Sequence, residues 1–447
     1  MRITRIKLQE LKILFTSALL AVLLFALLLC TPTPLRPQAP RTAPSDPVIA
    51  VNNPPNTPAQ QSKHYVILVS LDAFRYDYAQ KDGAKNILDL EARGATAPDG
   101  MIPAYPSLTF PNHYTIVTGL YPEHTGIVAN KFYDPARQAT YSMSDASAKL
   151  DGSWYGGVPL WSLAEQQGMR AASFFWPGDD AEIAGQRPSY YLHFDDKFPD
   201  EQRVDQVIAW LKLPPELRPH FITVYYSNVD HAGHDFGPDT TQTADAVRHV
   251  DDMIGRLIEG LKPLNLPVDV IVVADHGMIL GQGDWIDLDS YTDLSNFTTA
   301  GSLLYAKSDA DAETAFNQLK GKSDKFQVFR RKDVPPYLHY DSNARIGDPV
   351  VIPTGPYYIR ASAPPAGRPE YKKEIGVHGF DPYNIKEMHA LFVAEGPDIR
   401  PGVTVPPFDN VDLYPLIAKI LGLQIGPIDG RLEVLQGILQ PSPPAAP

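Results

Sequence analysis

The ten residues "VDVIVVADHG", Val268–Gly277, decide the fold: a nearly unbroken apolar run that stops on an aspartate, a histidine and a glycine. A strand with one wet face alternates apolar and polar residues, so a continuous β-branched run reads as a strand buried on both sides. The pattern recurs in "YVILVSLD" (Tyr65–Asp72) and "FITVYYSNVD" (Phe221–Asp230), and each of the three segments delivers an aspartate at its end: Asp275, Asp72 and Asp230. "GMRAASFFWPG" (Gly168–Gly178) and "EMHALFVAEGPD" (Glu387–Asp398) read as further strands. Between them, "TADAVRHVDDMIGRLIEGLK" sets Ala246, Val250, Ile254, Leu257 and Leu261 at helical spacing, with its charges on a solvated face. Doubly buried strands alternating with helices predict an α/β fold, a central mostly parallel sheet flanked by helices. Residues 281–373 change character, with "GSLLYAKS" and "KFQVFRR" as short strands among polar loops, and are expected to form a smaller inserted subdomain.

The 447 residues are 44% hydrophobic and 20% charged, which suffices for a large core. The formal charge is −13, and because the first thirty residues carry +3 the remainder stands at −16. So acidic a body is a poor partner for a nucleic-acid polymer. Any attraction for a phosphate ester must be local, and metal ions would supply it. Residues 1–30 have a basic front and an apolar run from Ile13 to Cys30, the pattern of a signal peptide or an uncleaved membrane anchor. The expectation is an exported protein of the periplasm or cell envelope, tethered to the membrane by residues 13–30 where the run is retained. Cys30 is the only cysteine. It offers a lipidation position, although the leucine before it is bulky for that role. A lone cysteine excludes an intramolecular disulfide, a thiolate metal cluster and a cysteine nucleophile in the body. Residues 31–62, rich in proline, predict a semi-extended spacer, and the catalytic body is expected over 63–440.

Ligands of open α/β sheets bind beyond the carboxyl ends of the strands, so Asp72, Asp230 and Asp275 are expected to converge. His234 follows Asp230 in "NVDHAGHDFGP", His276 follows Asp275, and His378 stands in "GVHGFDP". Carboxylate and imidazole without thiolate suit zinc or a harder divalent ion, and three of each would serve two ions. A pair of ions can clamp the attacking and leaving oxygens of a phosphoryl displacement. Thr109, in "YPSLTFPNHYT" (Tyr105–Thr115), is the candidate nucleophile, since metal coordination would lower its hydroxyl pKa without a histidine base. Pro111 marks a helix start whose amide groups would face phosphoryl oxygens. Taken singly these signals have plain structural readings: a strand-end aspartate as a turn residue, Asp230 with His234 as a helix-surface pair, Thr109 as an N-cap. His113, His124, His193, His231 and His389 stay in that structural class. The joint pattern is what argues for a site.

Six segments in order, "SLDAFR", "YPSLTFPNHYTIVTGLYPEHTGI", "NKFYD", "VDHAGHDFGP", "VADHGM" and "VHGFDP", resemble the type I phosphodiesterase and nucleotide pyrophosphatase family of the alkaline phosphatase superfamily, in its bacterial form. The resemblance covers residues 64–425 and implies an alkaline phosphatase-like fold. It implies two zinc ions per subunit, one held by Asp72, Thr109, Asp275 and His276 and the other by Asp230, His234 and His378. It further implies that Thr109 attacks phosphorus to give a phosphothreonine, which water then hydrolyses. Asn130 corresponds to an asparagine that hydrogen-bonds a phosphoryl oxygen. Phe110 and Tyr225 occupy places where relatives stack a nucleobase, with core packing an equal alternative for Tyr225, and Tyr190 or Tyr191 closes the slot, Tyr191 being taken into the site. Relatives often carry glycine where Ala73 stands, a small-for-small change expected to be harmless.

The implied activity is hydrolysis of nucleotide phosphodiester or pyrophosphate bonds, releasing nucleoside 5′-monophosphates. Phosphate monoester or phosphonate hydrolysis is the rival within the superfamily, because only the groups around the non-bridging oxygens differ. A catalytically inactive envelope protein that binds a phosphorylated ligand is the rival of another class, disfavoured because every chemically needed position is filled. A sulfatase lacks its cysteine precursor here, and no acidic–aromatic cluster nominates a choline cage.

Overall fold

The computed structural model describes residues 48–364 and 373–441. Its centre is a nine-stranded sheet of β1 (Ile49–Ala50), β2 (Tyr65–Leu71), β3 (Ala95–Thr96), β4 (Ala171–Phe174), β5 (Tyr190–Leu192), β6 (Phe221–Tyr226), β7 (Val268–Val273), β8 (Phe392–Glu395) and β9 (Val403–Thr404). The spatial order is β1-β5-β4-β6-β2-β7-β8-β3-β9. From β5 to β7 every pairing is parallel. The pairings β1–β5, β7–β8 and β8–β3 are antiparallel, and β9 returns parallel to β3.

All seven residues of β2 and all six of β6 are buried, as continuous apolar runs require. Helices cover them. The Leu413–Leu421 helix packs on β2 and on α1 (Thr109–Thr118), while α3 (Thr241–Leu261) packs on α2 (Asn228–Phe236) and on the Lys85–Arg93 and Asp200–Leu211 helices. The apolar stripe of α3 faces inward as the spacing requires, with Val250, Ile254 and Leu257 buried. One of its charges departs from the expected solvated face. Asp251 is 4% exposed, and its carboxylate accepts from the Asn86 N–H at 3.1 Å and the Ile87 N–H at 2.8 Å, capping the Lys85–Arg93 helix from outside.

Residues 281–373 contain an apolar cluster separate from the main core, built from Ile286, Leu288, Leu304, Leu319, Phe326 and Val351. Gln282–Asp287 pairs with Tyr357–Arg360, Phe297–Ala300 with Leu303–Ala306, and Phe326–Phe329 with Val350–Pro353.

The expected spacer requires correction where it is described. Val48–Ser62 is part of the folded body: Ile49 and Ala50 pair with Tyr191 and Tyr190. Asn56 is 3% exposed and donates through its amide to the carbonyls of Pro215 and Arg218. Backbone pairing and amide side chains hold this segment, and neither registers as hydrophobicity. Among the described residues no helix is long and apolar enough to cross a membrane, and Ile13–Cys30, on which the anchor expectation rests, lies outside them.

Candidate metal centre

The three adjacent parallel strands β6, β2 and β7 carry their carboxylates to one edge. Asp72 and Asp275 lie just past β2 and β7, and Asp230 lies in the first turn of α2, which follows β6. They are 1%, 0% and 8% exposed. Their ligand atoms fall into overlapping groups, each within 4.8 Å: Asp230, His234 and His378; Asp72, Asp230 and His276; and Asp72, His113 and Asp275. All six expected side chains therefore meet. Thr109, at the first turn of α1, brings its Oγ1 to 3.4 Å from His276 Nε2.

The tautomers test whether this cluster fits cations. His234 Nδ1 faces the Gly376 carbonyl at 2.9 Å, His276 Nδ1 that of Gly277 at 3.0 Å, and His378 Nδ1 that of Ser107 at 3.0 Å. A carbonyl accepts only, so each neutral imidazole carries its proton on Nδ1 and turns the Nε2 lone pair into the cluster. There the His234 and His378 Nε2 atoms face each other at 3.2 Å, and His276 Nε2 lies 2.9 Å from Asp275 Oδ2. Asp72 Oδ1, Asp230 Oδ1 and Asp275 Oδ2 are buried without a hydrogen-bond partner. Lone pairs aimed at lone pairs in a dry site repel unless cations lie between them, and carbonyl-anchored imidazoles are the usual support of metal ligands. The donor set fits divalent metal.

Without cations between them, these groups push one another's protonation equilibria apart. Burial, then Asp275 and Asp230, pushes the Asp72 carboxyl well above its usual range. Burial would raise Asp275 too, but the His276 and His113 imidazoles outweigh it and hold it well below. At His234 burial is outweighed by Asp230, which lifts the imidazole to about 9, whereas burial and the neighbouring His276 and His234 press His378 down to about 3.

Asn130 Oδ1 accepts from the Phe110 N–H at 3.0 Å, which turns its Nδ2 outward as a donor. Of the α1 amides expected to face a ligand, that of Phe110 goes to Asn130, Pro111 has none, and the Asn112 N–H goes to the Leu108 carbonyl. Ala73 adopts φ 58°, and its N–H points to Asp275 Oδ1 at 3.2 Å. The small-for-small view of this position is therefore incomplete, because a left-handed residue other than glycine costs about 1 kcal/mol.

Beside Thr109 opens a cleft of about 110 Å³ walled by Phe110, Tyr225, Phe175 and Phe194. Tyr225 lines it and also donates to Asp72 Oδ2 at 2.6 Å, while Tyr226 turns to the opposite side, against Arg203. Tyr190 and Tyr191 do not line it. They sit within β5, Tyr190 stacked on Trp210 and Tyr191 paired with Ile49, and the chain reaches the cleft only at Phe194, after the strand has ended.

His113 is the residue that sequence reasoning passed over. It is wholly buried, its Nδ1 lies 2.9 Å from the Thr109 carbonyl and 3.3 Å from Asp275 Oδ2, and its Nε2 meets Ser70 Oγ at 2.8 Å. Its place one helical turn after Thr109 was the available signal. His124, His193, His231 and His389 lie elsewhere, each against an aspartate or a backbone carbonyl. A wider hollow of about 450 Å³ between α3 and the Lys85–Arg93 helix opens at the other end of β7 and includes none of these residues.

This sheet, with a metal-fitted cluster at its carboxyl edge and Thr109 beside it, is an α/β fold of the alkaline phosphatase type. Residues 66–381 match the sequence profile described as Type I phosphodiesterase / nucleotide pyrophosphatase, and the chain belongs to that family. It is an enzyme of the pyrophosphatase/phosphodiesterase kind. It is 36% identical over 386 residues to an uncharacterized pyrophosphatase/phosphodiesterase of Schizosaccharomyces pombe, covering 82% of this chain and 79% of that one. Human ectonucleotide pyrophosphatase/phosphodiesterase family member 1 is 34% identical over 407 residues, 87% of this chain and 43% of its own length, so the chain spans less than half of that relative. Among solved structures, an inactive Thr→Ala variant of murine ectonucleotide pyrophosphatase/phosphodiesterase 5 in complex with AMP superposes with a TM-score of 0.78 at 29% identity, covering 85% of this chain and all of that one.

Proposed function

We propose that the protein hydrolyses phosphodiester or pyrophosphate bonds of nucleotides, releasing a nucleoside 5′-monophosphate through a phosphothreonine on Thr109. The observation that carries this is the position of Thr109, its hydroxyl 3.4 Å from His276 Nε2 and its side chain forming a wall of an aromatic cleft. Two divalent ions, zinc by donor type, held by Asp72, Thr109, Asp275 and His276 and by Asp230, His234 and His378, would supply the Lewis acidity that lowers the threonine pKa and neutralises phosphoryl charge.

The chain's own groups do the rest. Phe110 on one side and Tyr225 with Phe194 on the other hold the base of the nucleoside. Asn130 Nδ2 donates to a non-bridging oxygen, its amide held in that sense by the Phe110 N–H. The Thr109 oxygen forms a bond to phosphorus as the bond to the leaving oxygen breaks; water then cleaves the phosphothreonine and restores the hydroxyl. His113, hydrogen-bonded to the Thr109 carbonyl, fixes the first turn of α1 and thus the direction of the nucleophile. The murine relative, inactive with a threonine replaced and in complex with AMP, supports a nucleotide substrate and a threonine needed for activity.

Thr109→Ala is expected to lower kcat on a nucleotide phosphodiester by about a thousandfold or more while melting temperature and metal content stay near wild type. Wild-type-like turnover by that variant would refute the nucleophile. A preference for p-nitrophenyl phosphate over bis(p-nitrophenyl) phosphate would refute the diesterase reading.

A further inference from the structure

Three metal-capable side chains meet at the end of the sheet away from the catalytic cluster. His64 stands immediately before β2, Asp269 is the second residue of β7, and Asp398 lies just past β8. The strand register brings them together: Val66 of β2 pairs with Asp269, and Val270 of β7 pairs with Glu395 of β8. Asp269 is thereby carried between the start of one neighbouring strand and the end of the other. The imidazole and the two carboxylates each bring a ligand atom within 4.8 Å of the others. At about 3.3 Å per strand residue, Asp269 lies roughly 20 Å along β7 from Asp275, so an ion here is separate from the catalytic cluster.

Asp269 is wholly buried; its Oδ1 accepts the Asp398 N–H at 2.9 Å, and its Oδ2 is buried without a hydrogen-bond partner. Asp398 Oδ2 lies 2.5 Å from His64 Nδ1. The backbone makes room for this meeting at Gly396, where a Cβ would lie 2.4 Å from Asp269 Oδ1, so a glycine lets the chain after β8 close onto the carboxylate. The His64 and Asp398 side chains are 38% and 33% exposed, which gives an ion a way in while Asp269 holds the inner side. A buried carboxylate oxygen without a donor is costly, and a proton or a cation removes the cost. In the ion-free protein burial, reinforced by Asp398 and Glu395, raises the Asp269 carboxyl to about 8, so a proton keeps the place until a cation displaces it. We infer that His64, Asp269 and Asp398 form a further divalent-metal site, which takes zinc or another first-row ion and leaves the remaining coordination positions to water. One imidazole and two carboxylates without thiolate are a donor set for such ions. The ion ties the residue that enters β2 to β7 and to the turn after β8, and so fastens the lead-in Val48–Ser62 to the sheet.

Zinc uptake tests this. Stripped wild type dialysed against micromolar zinc is expected to take up one equivalent more than His64→Ala or Asp269→Asn treated alike, while both variants hydrolyse bis(p-nitrophenyl) phosphate as wild type does. The difference between the proteins is what counts, so zinc bound at the catalytic cluster or on the surface cancels, and the result does not depend on the proposed activity. His64→Ala changes a partly exposed side chain, so its result stands even where the buried Asp269→Asn fails to fold. Equal uptake by wild type and His64→Ala would reduce the cluster to a proton-bridged ion pair and overturn the site. A lost equivalent accompanied by lost turnover would overturn it too, because the missing ion would then belong to the catalytic cluster.

Discussion

Asp269, the second residue of β7, is wholly buried at the end of the sheet away from the metal cluster. Its Oδ1 accepts the Asp398 N–H at 2.9 Å, and its Oδ2 has no hydrogen-bond partner. Burial, reinforced by the charges of Asp398 and Glu395, pushes the carboxyl up to about 8, with His64 held 2.5 Å from Asp398 on the far side of the pair. The folded state thus keeps a proton that the unfolded chain gives up near pH 4, so stability is expected to decline as pH rises from about 4 to 8. Asp269→Asn, neutral throughout, should flatten that decline and melt higher than wild type at pH 8 and above. Parallel melting curves against pH for the two proteins would contradict the assignment. His113 and Ala73 belong to the same scale. Neither could be weighed from the chain alone, since a histidine one turn after Thr109 gains meaning only when Asp275 arrives beside it, and the left-handed turn at Ala73 is visible only in the backbone.

Elements were legible where apolar side chains alone determine them. Val268–Val273, Tyr65–Leu71 and Phe221–Tyr226 are buried on both faces, and that double burial is what their unbroken runs encode. The aspartates ending those runs were legible for the same reason, because parallel neighbours deliver their carboxyl ends to one edge. The aromatic wall of the Phe110–Tyr225 cleft was half legible: Phe110 and Tyr225 belong to regular elements, whereas Phe175 and Phe194 arrive from loops whose course no periodicity records. Asp251 is the corresponding case in α3. Removing its carboxylate leaves the Asn86 and Ile87 amides uncapped, so Asp251→Ala is expected to cost about 1–2 kcal/mol in urea unfolding, the size of a lost helix cap. A loss below a few tenths would show that another acceptor takes over.

At the scale of the molecule, three buried carboxylates within one cluster make the fold depend on what neutralises them. A ligand that binds only the native state stabilises it in proportion to the logarithm of its excess over Kd. Chelation is therefore expected to lower the melting temperature by several degrees as well as silence turnover, with both recovering on addition of zinc; an unchanged melting curve in a fully stripped protein would argue against metal at this position. The short strand β1 has a consequence of a different kind. Ile49 and Ala50 close the flank of β5, so a chain trimmed back to Lys63 would leave Tyr190–Leu192 presenting bare N–H and C=O groups to solvent. Such an open margin recruits strands from neighbouring molecules, which makes this proline-rich lead-in a guard against self-association.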